Sequence, residues 1–306
     1  MTGIIIGGDA FTFVALLKAC ARMKDVHNGT ALHADILRRG LLRRTTSGDN
    51  SHYYLACSLI SMYARCGALA KAHQLLEELP IRNEFSWSAV ISGYSQHGKP
   101  NLALNCLEQM QIEGVFLSPA TLVCGLNACG KIGALDKAGE IHTEIERQGL
   151  LERDLILGNS LVSLYSKCGW LDLAQKVFDK LQVRDVVSWT ALIAGYAEHM
   201  HVNEALHYSE QLQRLNISLD SINFACLLKT YGSIGAINKG QGLHSKLVKE
   251  GLLERSIVAH TALIDMYGNC GMLMEAQVLF DKLPVRDLIL WNLLISGYIQ
   301  KEDGEE

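Results

Sequence analysis

Several features that mark particular classes of protein are missing from this sequence. Only four prolines occur in 306 residues, and no low-complexity tract is present. No apolar run approaches the roughly 20 residues that a membrane-spanning helix needs. The opening decapeptide, MTGIIIGGDA, has no basic region and only three consecutive apolar residues, which predicts neither a secretory signal nor an arginine-rich transit peptide. The composition, 49% hydrophobic and 20% charged, is that of a soluble globular protein.

Cysteine and positive charge are also sparse. Nine cysteines are too few for a disulfide scaffold, and no Cys-x-x-Cys occurs, which favours reduced thiols that serve as small buried groups. The net charge is −4 and the isoelectric point about 6.3. Taken alone, this balance argues against nucleic acid as a partner, because nucleic-acid binders usually carry an excess of basic residues.

What the sequence does contain is a repeat. The phrases YARCG, YSKCG and YGNCG begin at Tyr63, Tyr165 and Tyr267, which follow one another at intervals of 102 residues. The same interval separates three tryptophans and two histidines: Trp87, Trp189 and Trp291; His142 and His244. Three residue types at one spacing identify a repeat array.

Each 102-residue stretch divides into three shorter units, and each of these is predicted to be a pair of amphipathic helices. In residues 155–185 the apolar side chains recur at three- and four-residue steps. Gly169 stands where the first helix must end, in a position that suits a left-handed residue, and Asp172 stands near the start of the second helix. Because a lone helical hairpin cannot bury both apolar faces, the hairpins are expected to stack as one α-solenoid rather than as two compact domains.

The thiol of Cys168, beside a lysine and before a glycine, has the setting of a reactive cysteine. The same cysteine recurs at Cys66 and Cys270, one in every third hairpin. A catalytic thiol is needed only once, so the repetition favours a packing residue near a tight turn.

The repeat phrases resemble the pentatricopeptide repeat family, in the plant subclass that alternates long, short and standard repeats. The phrases that carry the resemblance are LVSLYSKCGWLDLAQKVFDKLQVRD, VVSWTALIAGYAEHMHVNEAL and FTFVALLKACARMKDV with ALHADILRRG. The resemblance implies an all-α fold, a right-handed α-solenoid of stacked helix-turn-helix repeats. It gives this layout: long 10–52, short 53–83, standard 84–118, long 119–154, short 155–185, standard 186–220, long 221–256, short 257–287 and a partial repeat at 288–306.

Both ends of the chain are expected to fall inside repeats. Residues 1–9 resemble the tail of a missing standard repeat, and the first long repeat carries about seven extra residues in the polar stretch LLRRTTSGDNSHYY. This arrangement predicts a fragment or a truncated product.

Proteins of this family bind single-stranded RNA in organelles, with one base for each repeat, and the resemblance implies the same here. The fifth and last residues of a repeat approach one base edge, and the apolar second residue packs on the face of the base. Asn159 with Asp185 matches the family's uracil-favouring pair, and two pairs match its guanine-favouring pair: Thr190 with Asp220, and Thr261 with Asp287. Asn292 suggests a pyrimidine, and Ser88 with Ser118 only hints at a purine. The residues expected to sandwich bases are Phe85, Ile156, Val187, Val258 and Ile289.

Other fifth positions predict no base readout. Cys57 with Asn83 departs from the family's pairs, and the long repeats place an apolar Val14, Val123 or Ala225 there. Capping of the following helix is the alternative role for Asp185 and Asp287. It does not account for the small polar residues at Asn159, Thr190 and Thr261, which are mildly unfavourable inside helices.

The sequence predicts no catalytic site, metal site or cofactor. His142-Thr-Glu144 fits half of the zinc signature of cytidine deaminases, but the glutamate is not repeated and no Cys-x-x-Cys follows. Cys124 and Cys129 are poorly spaced for zinc.

Three hypotheses follow. The first is an RNA-binding adaptor for organellar RNA processing or C-to-U editing in a mitochondrion or chloroplast, with a deaminase or another processing protein as partner and with no DNA or membrane partner. The second is a protein-binding α-solenoid scaffold, and the third is a truncated relative of an editing deaminase.

Overall fold

A computed structural model describes residues 10–42, 51–215, 219–253, 255–283 and 286–303. The described residues form seventeen α-helices and no β-strand. None of these helices combines the length and the apolar character that a bilayer crossing requires. The chain divides into two compact units, Met1–Leu150 and Leu151–Glu306, and each unit is a stack of helical hairpins.

In the first unit, the described residues give four hairpins. Odd-numbered helices pack side by side in the order α1, α3, α5, α7, and each even-numbered helix packs on the helix that precedes it in the chain. The bounds are α1 Ala10–Met23, α2 Val26–Arg38, α3 Ser51–Arg65, α4 Leu69–Glu77, α5 Glu84–Gln96, α6 Pro100–Ile112, α7 Pro119–Ile132 and α8 Leu135–Arg147.

The second unit repeats this arrangement. Its odd-numbered helices again form a continuous row, from α9 through α11, α13 and α15 to α17. The bounds are α9 Leu155–Lys167, α10 Leu171–Lys180, α11 Val186–Glu198, α12 Val202–Arg214, α13 Ser221–Ser233, α14 Ile237–Lys249, α15 Ile257–Asn269, α16 Leu273–Asp281 and α17 Leu288–Asp303. The odd-numbered helices are called first helices below, and the even-numbered ones second helices.

The turn inside the second short hairpin forms as the sequence predicts. Gly169 has φ +78°, a left-handed conformation that L side chains rarely adopt, and the backbone N–H of Cys168 donates to Leu164 O. Asp172 lies in the first turn of α10. The chain therefore turns between α9 and α10 at a glycine, the residue that adopts a left-handed conformation most easily.

The core of each unit is made by the apolar faces that the periodicity identifies. In α9 and α10 the buried side chains include Leu161, Tyr165, Val177 and Phe178. Trp87 and Trp189, on the other hand, lie in first helices and are buried against the second-helix layer. Burial on this scale stabilises a hairpin stack by about 25 cal/mol for each Å² of apolar surface removed from water.

The helix pairs fall within the predicted repeats, with one difference. Residues 51–54 belong to the stretch that the sequence predicts to be a polar loop, and instead they form the start of α3. No proline or glycine interrupts residues 51–54, so the chain can continue α3 two residues before the predicted repeat. The predicted tail at 1–9 and the remainder of the loop, 43–50, lie outside the described residues.

Candidate nucleic-acid interface

The first helices expose a row of apolar side chains at their second residue. Phe85 is 71% exposed, and the four others predicted to sandwich bases are 51–68% exposed: Ile156, Val187, Val258 and Ile289. Two residues further along the same helices, Trp87 and Trp189 are buried. Apolar side chains that recur on an exposed face in this way mark an interaction surface.

Three further residues belong to this row, and the sequence reasoning missed them. Phe11 and Ile222 are the second residues of α1 and α13, and Tyr54 holds the second position of the first short repeat. All three are highly exposed. Their position in the repeat was a signal that could have identified them, but the fifth residues of their repeats, Val14, Cys57 and Ala225, predict no base readout.

Asn159 and Asp185 are brought together as the sequence predicts. The Asn159 Nδ2 group donates to both carboxylate oxygens of Asp185, at 3.0 and 3.1 Å. The amide oxygen points inward and has no hydrogen-bond partner among the described residues. Because a carboxylate accepts from N–H and repels a carbonyl oxygen, Asp185 fixes which end of the Asn159 amide faces it.

The standard repeats join their fifth and last residues in a different way. Thr190 is 6% exposed, and its hydroxyl donates to Val186 O at 2.8 Å and lies 3.3 Å from Asn223 Oδ1. Asn223 Nδ2 in turn donates to Asp220 Oδ1 at 2.8 Å. Thr190 and Asp220 are therefore linked through the third residue of the next first helix and not directly.

The first unit repeats this link at the equivalent positions. Ser88 Oγ lies 2.6 Å from Thr121 Oγ1, which lies 2.9 Å from Ser118 Oγ. Sequence reasoning missed Thr121 and Asn223. The signal was faint, since each is one polar residue in the third position of a long repeat whose fifth position is apolar.

The remaining fifth-position residues make fewer contacts. The Cys57 thiol donates weakly to Asn83 Oδ1 at 3.7 Å. Thr261 donates to Ile257 O at 2.9 Å within its own helix, and no hydrogen bond joins it to the exposed Asp287. Asn292 is exposed on α17.

The aspartates that end these repeats also cap the helices that follow. Asp185 accepts from Ser188 N at 2.9 Å, Asp220 from Asn223 N at 2.8 Å and Asp287 from Leu290 N at 3.0 Å. Asp185 and Asp287 therefore have the capping role that was the alternative to base readout. At Asp185 the same carboxylate performs both tasks, because it also holds Asn159.

A cavity of about 780 Å³ opens on the first-helix side of the first unit. Tyr54 and Phe85 supply aromatic surface, Asn83 and Ser88 supply polar groups, and Lys18 and Arg65 supply positive charge. In the second unit, Lys167 and Lys229 belong to first helices, α9 and α13. Burial raises the pKa of Cys226 in α13, the charge of Glu198 adds to that effect, and the charges of the two lysines oppose it. Each unit thus combines aromatic or aliphatic surface with a small number of cations.

No cluster of three metal-ligating side chains occurs in the described ranges. Burial raises the pKa of Cys168, and it does the same for Cys66 and Cys270, which is the opposite of the shift that activates a nucleophilic thiol. Hydrogen bonds from Arg147 lower the pKa of Glu144, whereas a general acid needs a raised one.

Comparisons with known proteins agree with the geometry. The family profile described as "PPR repeat" matches residues 56–83, 85–115, 159–186, 187–217 and 258–288. All five matches fall in the repeats that the sequence predicts as short or standard. The division into long, short and standard repeats stays a prediction.

Two curated relatives come from Arabidopsis thaliana. Pentatricopeptide repeat-containing protein At1g11290, chloroplastic, is 31% identical over 287 residues, which cover 94% of this chain and 34% of that protein. Pentatricopeptide repeat-containing protein At1g06140, mitochondrial, is 31% identical over 293 residues, which cover 95% of this chain and 51% of that protein. The chain therefore spans between about a third and about half of the length of these relatives.

A solved structure shares the fold. The crystal structure of the pentatricopeptide repeat protein PPR10 in complex with an 18-nt psaJ RNA element has a TM-score of 0.68 at 17% identity, over 98% of this chain and 49% of that one. This likeness confirms the predicted α-solenoid class. With five matched repeats and relatives aligned along nearly its whole length, the chain belongs to the pentatricopeptide repeat family.

Proposed function

We propose that the first-helix face of this chain binds single-stranded RNA and selects bases through side chains at the fifth and last positions of its repeats. One observation carries the proposal: the Asn159–Asp185 pair lies in register between the exposed side chains of Ile156 and Val187. An unpaired base needs an apolar surface for its face and hydrogen-bonding groups for its edge. This pair of repeats offers both.

The chemistry of the pair suits uracil. An amide nitrogen carries two protons and a carboxylate can accept several hydrogen bonds, so each keeps capacity beyond the contact they share. A donor beside an acceptor is the complement of the uracil edge, where O4 accepts and N3–H donates. Cytosine has no N–H at N3, and its exocyclic amine replaces O4, so it opposes both groups.

At the standard repeats, the proposal adds the third residue of the next helix to the reading group. Thr190 is buried and its hydroxyl is already bonded, whereas Asn223 links it to Asp220. Base selection there is assigned to Thr190, Asn223 and Asp220 together, and at the equivalent place to Ser88, Thr121 and Ser118. The guanine preference of Thr190 with Asp220 and of Thr261 with Asp287 remains part of the proposal, as does pyrimidine at Asn292.

In this proposal the chain acts as an adaptor without a catalytic group of its own, in organellar RNA processing or C-to-U editing. Support comes from the names of the relatives, which are chloroplastic and mitochondrial, and from PPR10, which was crystallised with RNA. A protein that carries a deaminase or another processing activity would be the partner.

The test is selection from a random pool of single-stranded RNA. The predicted motif has U at the second short repeat, G at the second standard repeat and G again two positions later. A duplex pool and a single-stranded DNA pool serve as controls. Enrichment of duplex RNA, or a selection that enriches no motif, contradicts the proposal. If no motif is enriched and the chain still binds a protein partner, the result favours the scaffold alternative.

A further inference from the structure

Each unit has an equivalent pocket where its short hairpin meets the following standard hairpin. A carboxylate side chain contacts the tryptophan and the arginine of the first-unit pocket, and the second-unit pocket has an apolar residue at the same position. In the first unit, Arg82 Nη2 contacts Glu113 Oε1 at 2.9 Å, and Trp87 Nε1 donates to Glu113 Oε2 at 3.0 Å. One carboxylate thus satisfies a guanidinium and a buried indole N–H. The residues 102 positions later are Arg184, Trp189 and Leu215, so the arginine and the tryptophan are retained and the carboxylate is replaced by an apolar side chain.

The loss of that carboxylate leaves a donor unsatisfied. Trp189 is 4% exposed, and its Nε1 has no hydrogen-bond partner among the described residues. A buried N–H without an acceptor is rare in folded proteins, because it loses its bond to water and gains nothing in return. In the first unit the same atom is bonded, so the difference follows from the replacement at residue 215.

The space beside this indole is a cavity of about 580 Å³, open to solvent. We call it the indole–arginine pocket and define it by five of its lining residues: Arg184, Trp189, Gln211, Arg214 and Leu215. None of the described residues that line it is acidic.

Two arginines line this pocket. The position of Arg214 is held by Ile112 in the first unit, so one carboxylate has been lost and one cation gained. Arg184 donates through Nε to Phe178 O and through Nη2 to Asp179 O, and neither bond uses Nη1. The Asp179 carboxylate is 3.9 Å from Arg184, beyond hydrogen-bond distance. Arg214 lies close enough to Glu210 to be one of the charges that lower the pKa of that carboxyl, after the larger effect of Lys239.

We propose that the indole–arginine pocket binds a carboxylate, supplied by an acidic side chain of a protein partner. The bound carboxylate takes the place that Glu113 occupies in the first unit: one oxygen accepts from Trp189 Nε1–H and the other pairs with Arg184 or Arg214. A guanidinium with an adjacent N–H is a strong receptor for two carboxylate oxygens. The pocket is lined by the loop before α11, by the buried Trp189 of α11 and by the end of α12. Val187, which is proposed to contact a base, lies on the exposed face of α11 instead.

Indole N–H resonances in a ¹H–¹⁵N spectrum report directly on this atom. The chain has four tryptophans, and a Trp189→Phe variant assigns the relevant signal. Titration with sodium propionate is expected to move the Trp189 signal saturably toward the position of the Trp87 signal, while Trp87 stays in place. Propionamide has the same shape without the charge, and it is expected to leave both signals unchanged.

A pair of reciprocal variants provides the matched control. Leu215→Glu returns a carboxylate to the second unit, so the Trp189 signal should shift without any ligand and stop responding to propionate. Glu113→Leu removes it from the first unit, so the Trp87 signal should become responsive. Leu215 is 54% exposed, so its replacement leaves the core intact.

Further arms of the titration separate the sources of the ligand. A blocked peptide with a central glutamate is expected to saturate the Trp189 signal at lower concentration than propionate does, and inorganic phosphate to have a smaller effect than either. Binding of propionate as tight as that of the peptide would overturn the assignment to a protein partner. A response to phosphate alone, an equal response to propionamide, or a Leu215→Glu variant with an unmoved Trp189 signal would overturn the site itself.

Discussion

At the scale of single residues, the orientation of the Asn159 amide shows two effects in competition. The inward amide oxygen has no partner, and such a buried acceptor costs about 1–3 kcal/mol. Hydrogen bonds to an ionised carboxylate are roughly twice as strong as neutral ones, and Asn159 makes two contacts to Asp185. The contacts to the carboxylate therefore decide the orientation of the amide.

Replacement of Asp185 by serine separates its two tasks. Serine caps a helix about as well as aspartate, so the free energy of unfolding should fall only through the lost contacts to Asn159, by about 1–3 kcal/mol. The preference for uracil at the corresponding base should fall by about tenfold or more, since a good bidentate contact discriminates by about 1–3 kcal/mol. Urea unfolding and binding to RNAs that differ at one base measure the two effects.

Asp154→Ser is the control, because Asp154 caps α9 through Ile156 N and Leu157 N without contacting a fifth-position amide. It should leave the base preference unchanged. A preference for uracil that survives Asp185→Ser would show that Asp185 acts only as a cap.

The pairing of Asn159 with Asp185 was predictable from the register of the repeat, and the contact between Thr190 and Asn223 was not. Asn159 and Asp185 stand 26 residues apart in one short repeat, and the repeat phrase identifies both. The link from Thr190 to Asn223 crosses to the next first helix, and it depends on how closely two helices approach. The sequence of one repeat does not determine the distance between its first helix and the next one.

At the scale of helices, the packing of neighbouring first helices depends on small residues. Gly93, Gly195 and Gly297 recur at the repeat interval, and they face Ala64, Ser166 and Gly268 respectively. A Cβ on Gly195 would meet the Ser166 side chain and lie 3.0 Å from its Cα. The sequence marks these glycines through the phrases ISGY and IAGY, but only the structure shows what they face.

Gly195→Ala should therefore lower the free energy of unfolding by about 1–3 kcal/mol, as overpacking does in a tight core. Gly242 in α14 is the matched control, because a Cβ there has nothing within 4 Å. Gly242→Ala should be neutral or stabilise by up to about 1 kcal/mol through helix propensity. Equal destabilisation by the two variants would argue against the close approach.

A second contact between helices predicts a dependence of stability on pH. His33 Nδ1 lies 3.0 Å from Tyr63 Oη, and His244 Nδ1 lies 2.8 Å from Tyr267 Oη. Burial lowers the pKa of both histidines below the ordinary value of 6.5. The unfolded chain therefore binds more protons than the native one when the pH falls below about 6.5, and stability is lost in that window.

The free energy of unfolding should be nearly constant above about pH 7 with respect to these two groups and should fall as the pH drops further. A double variant, His33→Gln with His244→Gln, should show a shallower fall in urea titrations at pH 7.5, 6.5 and 5.5. His207→Gln, on an exposed position of α12, is the control. An identical slope in the double variant would contradict the assignment.

At the scale of the whole molecule, the repeat made the fold class predictable. A motif that returns at 102 residues, with helical periodicity inside it, permits few architectures other than a stack of hairpins. The division near residue 150 was not predictable, because the periodicity continues through that point while compactness depends on contacts between helices.

The acidic balance of the chain predicts weak dependence of RNA affinity on salt. With Lys18 and Arg65 on the face of one unit and Lys167 and Lys229 on first helices of the other, about two to four phosphates can be neutralised. The slope of log K against log salt should then be about −1.5 to −3 for single-stranded RNA. RNA binding measured between about 50 and 300 mM KCl tests this prediction. A slope steeper than about −5 would contradict it, because it would mean that contacts to phosphates supply most of the affinity.

The central claim, that fifth-position side chains read individual bases, is tested most directly by one change of base preference. Asn159→Thr recreates in the second short repeat the residue pair found in the third, Thr261 with Asp287. Affinities are measured for four RNAs that differ only at the base assigned to that repeat, with Asn203→Thr on a second helix as the matched control. The account predicts that preference moves from uracil to guanine at this base for Asn159→Thr alone and at no other base. An unchanged preference, or the same change in Asn203→Thr, would contradict it.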